Sequence, residues 1–281
     1  MPGRELHSEV LAWTRPRAPL RMVRRHPRFG KGRSVTTVER TWPPLNEYVR
    51  DIARESLADA GEDAISDAVA RMIAHPEYPC LGARSVFRRD AARIVVLDSM
   101  ADPDAVAQLA VHLEAFSNAN RDPEDFVSFI AVFREPVTPT EKDFEALLWQ
   151  VLQQLHDEDT HPWADGVAAD PEAPQFAFSH AGRAYFIVGL HPRASRIARR
   201  APLPTLVFNL HEQFEKLRAE GGFDRMRTAI RRRDTKVQGS VNPMAADHGE
   251  ASEARQYSGR RVEPTWQAPF SPKEIGDDRS G

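Results

Sequence analysis

Apolar positions along the chain switch between a spacing of three to four and short unbroken runs, the marks of helices and strands in alternation. Between Leu45 and Ala74, the residues Tyr48, Val49, Ile52, Leu57, Ile65, Val69 and Met72 fall at helical spacing, with Gly61 as a break. Ile94–Leu97 predicts a short strand. Asp102 before Pro103 predicts a helix start, an N-cap followed by a residue whose missing N–H is not needed in the first turn. Val106, Leu109, Ala110, Leu113 and Phe116 then mark the apolar side of that helix. Phe126–Phe133 predicts a strand closed by Pro136. Thr140 caps a further helix through Phe144, Leu148, Val151 and Leu155, with Glu141 and Asp143 at the positive end of its dipole. Phe176–Ser179 and Ala184–Leu190, on either side of His180-Ala181-Gly182-Arg183, predict a hairpin. Leu206–Asn209 predicts another strand, and His211–Ala219 and Phe223–Arg233 predict two helices divided by Gly221-Gly222. No repeat or long linker interrupts residues 42–270. The expectation is one α/β or α+β domain, a mixed sheet flanked by helices.

Composition narrows the class. In 281 residues, 41% are hydrophobic and 28% charged, a globular balance. No apolar run approaches the ~18–20 residues of a membrane span, which excludes an integral helical membrane protein. The net charge of −3 argues against a nucleic-acid binder that uses its whole surface. That charge is uneven: residues 1–40 hold nine arginines and one lysine against three glutamates, a net +7, leaving −10 for the remainder. With their Pro and Arg density, residues 1–41 read as a disordered basic arm, and the polar stretch 271–281 as a frayed tail. The arm is an idle tail, or a contact for nucleic acid or an acidic partner. The lone Cys80 rules out an internal disulfide and a multi-cysteine metal site, and points to a reducing, cytoplasmic setting.

Common catalytic signatures are missing. There is no phosphate-binding Gly-x-x-x-x-Gly-Lys-Ser/Thr loop, no His-Glu-x-x-His zinc helix and no Gly-x-Ser-x-Gly elbow. Gly30-Lys31-Gly32 begins like a dinucleotide fingerprint, but Val35 takes the place of its third glycine. His211 and Glu215, four apart, share a helix face as a surface contact or a metal pair. Three stretches remain. Tyr78-Pro79-Cys80-Leu81-Gly82-Ala83 carries the single thiol, either a small core residue or a thiolate ligand to a heme iron, which needs only one axial donor. Gly189-Leu190-His191-Pro192 runs into Arg196, Arg199 and Arg200, expected to open a helix whose forked guanidinium groups suit carboxylates, or which is simply a solvated basic face. Residues 238–259 are rich in amide, hydroxyl and acidic groups without periodicity, an ordered functional loop or a polar connector.

Taken together these strings resemble the YqcI/YcgG family of bacterial proteins over roughly residues 45–270. The matching stretches are Tyr78-Pro79-Cys80, Gly189-Leu190-His191-Pro192 with Ser195-Arg196 and Arg199-Arg200, and Phe208 to Phe214. Ile230-Arg231, Arg233-Asp234, Gln238 to Pro243 and Ala254 to Gly259 continue the match. Cys80-Leu81-Gly82 also resembles the cysteine ligand loop of nitric oxide synthases.

The family resemblance implies a heme-dependent N-hydroxylase of a guanidino amino acid such as arginine, acting in a natural-product (antibiotic) pathway. Heme b is then the expected cofactor, with dioxygen or peroxide as oxidant and an external electron donor. Cys80 is the expected axial ligand, because a thiolate donates electron density that favours O–O cleavage. His191 is its rival, followed by His211, His248 and His180. Arg196 and Arg199 are the expected partners of the heme propionates. Glu212 or Glu250 is expected to hold the guanidinium, and Arg255 or Arg196 the substrate carboxylate. The other readings are a heme-binding or stress-response protein without oxygenase activity, and a nucleic-acid-associated factor using the basic arm.

Overall fold

Because successive residues of a strand point to opposite faces, a strand apolar at every position has to be covered on both sides. The central strand here is of that kind: Phe129, Ala131 and Phe133 face one way, Ile130 and Val132 the other, and all are buried. A computed structural model of the chain describes residues 42–55, 57–121, 126–244 and 251–273. The basic arm, residues 274–281, Glu250 and His248 lie outside the described residues.

Five strands, β1 (Ala92–Ser99), β2 (Ser128–Glu135), β3 (Phe178–His180), β4 (Arg183–Leu190) and β5 (Thr205–Leu210), form one sheet in the order β1-β2-β5-β4-β3. β1 and β2 are parallel, Ala92 opposite Ser128, and are joined by helix α4 (Pro103–Ala119), as parallel neighbours require a crossover. The other pairings are antiparallel, and β3–β4 is the expected hairpin, with Ala181 and Gly182 at positive φ in its turn. The sheet is therefore mixed and flanked by helices.

One face carries α4 and α5 (Glu141–Glu158), whose Leu109, Leu113, Leu148 and Leu152 are fully buried against Phe129, Ile187 and Phe208. Both helices start where the sequence places them: Asp102 accepts the Asp104 N–H at 3.0 Å and Thr140 the Asp143 N–H at 3.2 Å. Gly189 lets this face close up, since a Cβ there would lie 2.7 Å from Leu148 and 2.9 Å from the Tyr257 carbonyl oxygen. The opposite face carries α1 (Leu45–Arg54) and α2 (Glu62–Ala74), separated at Gly61 as expected, then α3 (Leu81–Arg88), α6 (His211–Ala219) and α7 (Phe223–Gln238). A four-residue helix α8 (Ala254–Tyr257) packs on β4.

Two local expectations change. The arginine-rich stretch after His191 is a turn with a single 3₁₀ turn at Ile197–Arg199, where a longer helix was expected. Its chain doubles back: the His191 N–H bonds the Arg199 carbonyl at 3.0 Å, which an extended helix does not allow. Helix α3, carrying few apolar residues on a regular spacing, was not anticipated from the pattern.

Candidate functional site

The second face of the sheet is not filled. In β4, Tyr185 and Ile187 are buried on the packed side while Phe186 and Val188 are only half-buried; in β5, Val207 and Asn209 alternate likewise with Phe208 and Leu210. These half-buried side chains floor a cavity of about 960 Å³. That is near the top of the ~300–1,000 Å³ range of ligand and cofactor pockets. α2, α3, α6 and α7 wall it, contributing among others Met72, Val86, Phe214 and Ile230.

Cys80 stands in this wall. It is the N-cap of α3, and its Sγ accepts the Ala83 N–H at 3.4 Å. Burial pushes the thiol up from its ordinary value, while the Ala83 and Gly82 amides and the nearby Arg199 guanidinium work the other way. A Cβ on Gly82 would sit 3.8 Å from the sulfur, ordinary contact, so this glycine does not crowd the thiol.

Arg196 and Arg199 also reach the cavity. Arg196 is buried and bonds Asp234 Oδ2 at 2.6 Å and the Ser240 carbonyl at 2.9 Å. Arg199 donates to the carbonyls of Gly189, Gln256 and Tyr257 at 3.2, 3.0 and 3.4 Å. Burial lowers its pKa to about 10, so it stays charged at neutral pH. Gly259, at φ +80°, lies against the Arg199 stem, where a Cβ would come within 2.9 Å of Cγ. Cys80, Tyr78, Arg199, Arg196 and Asp234 thus form one polar pole of an otherwise apolar space.

A second pole gathers around His211. Its Nδ1 lies 3.9 Å from Glu215 Oε1 and its Nε2 3.9 Å from Glu253 Oε2. Glu253 accepts the Tyr257 hydroxyl at 2.6 Å; burial raises its pKa to about 8, partly opposed by that hydrogen bond and by Arg218. Sequence reasoning missed Glu253. A Glu four residues before a Tyr in a polar stretch was the available signal, because those spacings meet on one helical turn.

The remaining expected residues fall as follows. Glu212 lines the cavity with its carboxylate engaged by Arg183. Glu250 lies outside the described residues. Arg255 does not line the cavity: it donates to the carbonyls of Glu263 and Trp266 at 2.6 and 2.9 Å and stacks over the Trp266 ring, so it fastens the C-terminal segment. His191 does not line the cavity either. It is 1% exposed and stacks on Phe144 of the packed face, with ring centroids 4.4 Å apart. Neither ring nitrogen has a hydrogen-bond partner among the described residues, and burial lowers its pKa to about 4. Its place follows from strand alternation, which puts residue 191 on the side of Gly189. His180 is buried beside Asp159, 3.5 Å from Oδ2, also away from the cavity lining.

These donors fit a heme. A porphyrin brings four nitrogens and asks the protein for one axial atom, an apolar slot and positive charge near its carboxylates. Among the described residues no group of three His, Cys, Asp or Glu converges to hold a bare metal ion. No helix among them is long and apolar enough to cross a membrane.

Three relatives are informative. YcgG of Bacillus subtilis (strain 168) is 28% identical over 230 residues, 78% of this chain and 86% of its own length. YqcI of the same organism is 29% identical over 163 residues; the match takes in 56% of this chain and 64% of YqcI. The Streptomyces lavendulae protein named "Putative N(omega)-hydroxy-L-arginine synthase DcsA" is 26% identical over 177 residues, 58% of this chain and 66% of its own. No solved structure matches the chain significantly. The family profile that covers residues 69–271 takes in the cavity walls from α2 through α8, and by it the chain belongs to the YqcI/YcgG family.

Proposed function

We propose that the chain is a heme-dependent N-hydroxylase of a guanidino amino acid of the arginine kind. The observation that supports it most directly is Cys80, a half-buried thiol at a helix N-terminus that faces a large apolar cavity. The name of the Streptomyces relative agrees with the substrate class. Heme b, bound on Cys80, supplies the activation of dioxygen or peroxide that a guanidine nitrogen requires.

The chain's own residues have three tasks. Cys80 would hold the iron through its sulfur as a thiolate: burial keeps the free thiol above its ordinary value, the Ala83 and Gly82 amides, the Arg199 charge and the α3 dipole offset part of that, and the proton would leave on metal binding. Phe186, Val188 and Val207 line the floor and keep water from the reacting nitrogen. Glu253 recognises the guanidinium. Without a cation its buried carboxyl holds a proton near neutrality; an arriving guanidinium supplies the missing counter-charge and the proton leaves, while Tyr257 still donates to Oε1. Selectivity follows, because a neutral side chain gives Glu253 no reason to ionise. Glu212, engaged by Arg183, is the less available carboxylate.

The test combines absorbance and mass. Protein expressed with ample heme supply is expected to show a Soret band whose ferrous–carbonyl form is strongly red-shifted, and Cys80→Ser to abolish that shift. Incubation with L-arginine, a reductant and oxygen, or with peroxide, is expected to give a product heavier by one oxygen atom. Glu253→Gln is expected to raise KM for arginine ~10-fold or more while keeping the Soret band, as loss of a buried charged partner costs 2–5 kcal/mol. A colourless protein after heme titration, or a globin-like carbonyl spectrum indifferent to Cys80→Ser, overturns the reading.

A further inference from the structure

The wall behind Cys80 is one helix thick. α7 turns Met226, Ile230 and Asp234 into the cavity and Arg225, Arg232 and Lys236 into an open groove of about 910 Å³ on its other side. α3 does the same: Cys80, Ala83 and Val86 line the cavity, while Leu81, the residue after the thiol, lines the groove. A helix with its side chains is ~10–12 Å across, and that sets the depth from groove to cavity.

The groove is strongly basic. Arg225, Arg232, Arg233 and Lys236 line it with a single acid, Asp224, which is paired with Arg227 at 3.1 Å. Arg225, Arg232 and Lys236 are exposed, and no hydrogen bond or ion pair is found for these three among the described residues. Arg84 and Arg88 of α3 add charge close by: burial depresses the Arg84 guanidinium, and the Arg233 and Arg88 charges push the same way. Arg233 also ties the groove to the ligand loop: it donates to the carbonyls of Pro76 and of Tyr78, two residues before Cys80, the latter at 3.0 Å. From Arg225 to Lys236 the cations span ~16 Å of helix.

We propose that this groove is the docking face for an acidic one-electron carrier protein, of the iron–sulfur or flavin kind, seated directly behind Cys80. The inference rests on the heme reading above in its dioxygen form. Hydroxylation puts one atom of O₂ into an N–H bond and reduces the other to water, which takes two electrons and two protons. A carrier giving one electron per visit docks twice and leaves oxidised each time, and the protons come from solvent. An external donor has to pass its electrons through the chain, and the single-helix wall of α3 and α7 brings this groove close to Cys80. A nucleic acid would find the same charges, but nothing in its chemistry calls for a site backing onto the thiol.

The experiment titrates the full chain with a plant-type [2Fe–2S] ferredoxin, an acidic one-electron carrier, by calorimetry, and reads the Soret absorbance of the same samples. Saturable binding is expected, weakening about tenfold or more between low and moderate salt as exposed charges are screened. Arg225→Glu/Arg232→Glu/Lys236→Glu is expected to weaken it ~100-fold without loss of Soret absorbance, and the three Gln substitutions by less. Arg261→Glu, an exposed change away from the groove, is expected to leave it alone. Ferredoxin binding indifferent to both triple variants in a chain that keeps its heme overturns the docking face alone. Loss of heme binding in the wild type overturns the function reading instead. A short DNA duplex that binds through the same three residues more tightly than ferredoxin also overturns the proposal.

Discussion

The two faces of the sheet obey the same alternation and end in opposite states. On the α4/α5 side every inward residue meets another: Phe129, Leu148 and Phe208 have no exposure, and even glycine is needed at 189. On the α2/α7 side Phe186, Val188 and Val207 are as apolar but stay half-buried over a cavity. An apolar surface left uncovered in mid-sheet forfeits stability at ~25 cal/mol per Å², a cost that the packed face does not carry. One face holds the fold and the other holds space.

Substitutions at matched positions give the sharpest contrast. Phe129→Ala on the packed face is expected to cost about 3–5 kcal/mol, and Val207→Ala on the cavity floor about 1 kcal/mol or less, both read from urea unfolding of the heme-free chain. Equal losses break the comparison. Next in size, Gly189→Ala is expected to cost about 1–3 kcal/mol, because its Cβ meets Leu148, Phe144 and a carbonyl within 3 Å and one of them has to move.

His191 tests the packed face through pH. Its imidazole is held near a pKa of 4 by burial, against an ordinary 6.5. Between those values the unfolded chain takes up a proton that the folded chain refuses, so stability is full above pH 6.5 and falls as pH drops toward 4. His191→Phe, stacking on Phe144 without orphaned nitrogens, is expected to raise stability by about 1–2 kcal/mol near pH 5 and by less at pH 7.5. Thermal melts across that range check it, and an unchanged slope means that another group carries the acid sensitivity. The smallest stability effect belongs to Val188→Phe on the cavity floor, expected to shift unfolding by under ~1 kcal/mol while blocking heme uptake. A large destabilisation there shows that the cavity is smaller than the structure gives.

The packed face was legible from the sequence, the hollow one only in part. Asp102-Pro103 and Thr140 announce α4 and α5, and the apolar runs announce every strand, because burial against neighbours needs only size and spacing. The cavity wall uses other means. α3 is eight residues capped by a cysteine, and its apolar stripe is only Ala83, Val86 and Phe87, too short to stand out from the pattern. Arg196 and Arg199 look like solvated charges in a sequence, yet the first is buried and the second half-buried, answered by Asp234 and by four carbonyls, three of them from segments far along the chain. The same holds for Glu253, whose environment is made by Tyr257 and His211 after folding. His191 shows the converse: a histidine beside arginines suggests a ligand, but strand parity sends it to the other side.

The seam between β2 and β5 has a bearing on how the protein matures. Ser128 on β2 and Asn209 on β5 are 81 residues apart, and the Ser128 hydroxyl donates to the Asn209 amide oxygen at 2.8 Å across the cavity floor. The β1–α4–β2 unit and the β3–β4–β5 meander each close over shorter stretches, so joining them is the long-range step, slow by the entropy of the loop it closes. The floor has no continuous surface until that step is complete. On the proposed heme reading, cofactor capture is expected to mark the end of assembly, and the time course of colour development during refolding checks when the two halves of the sheet have met.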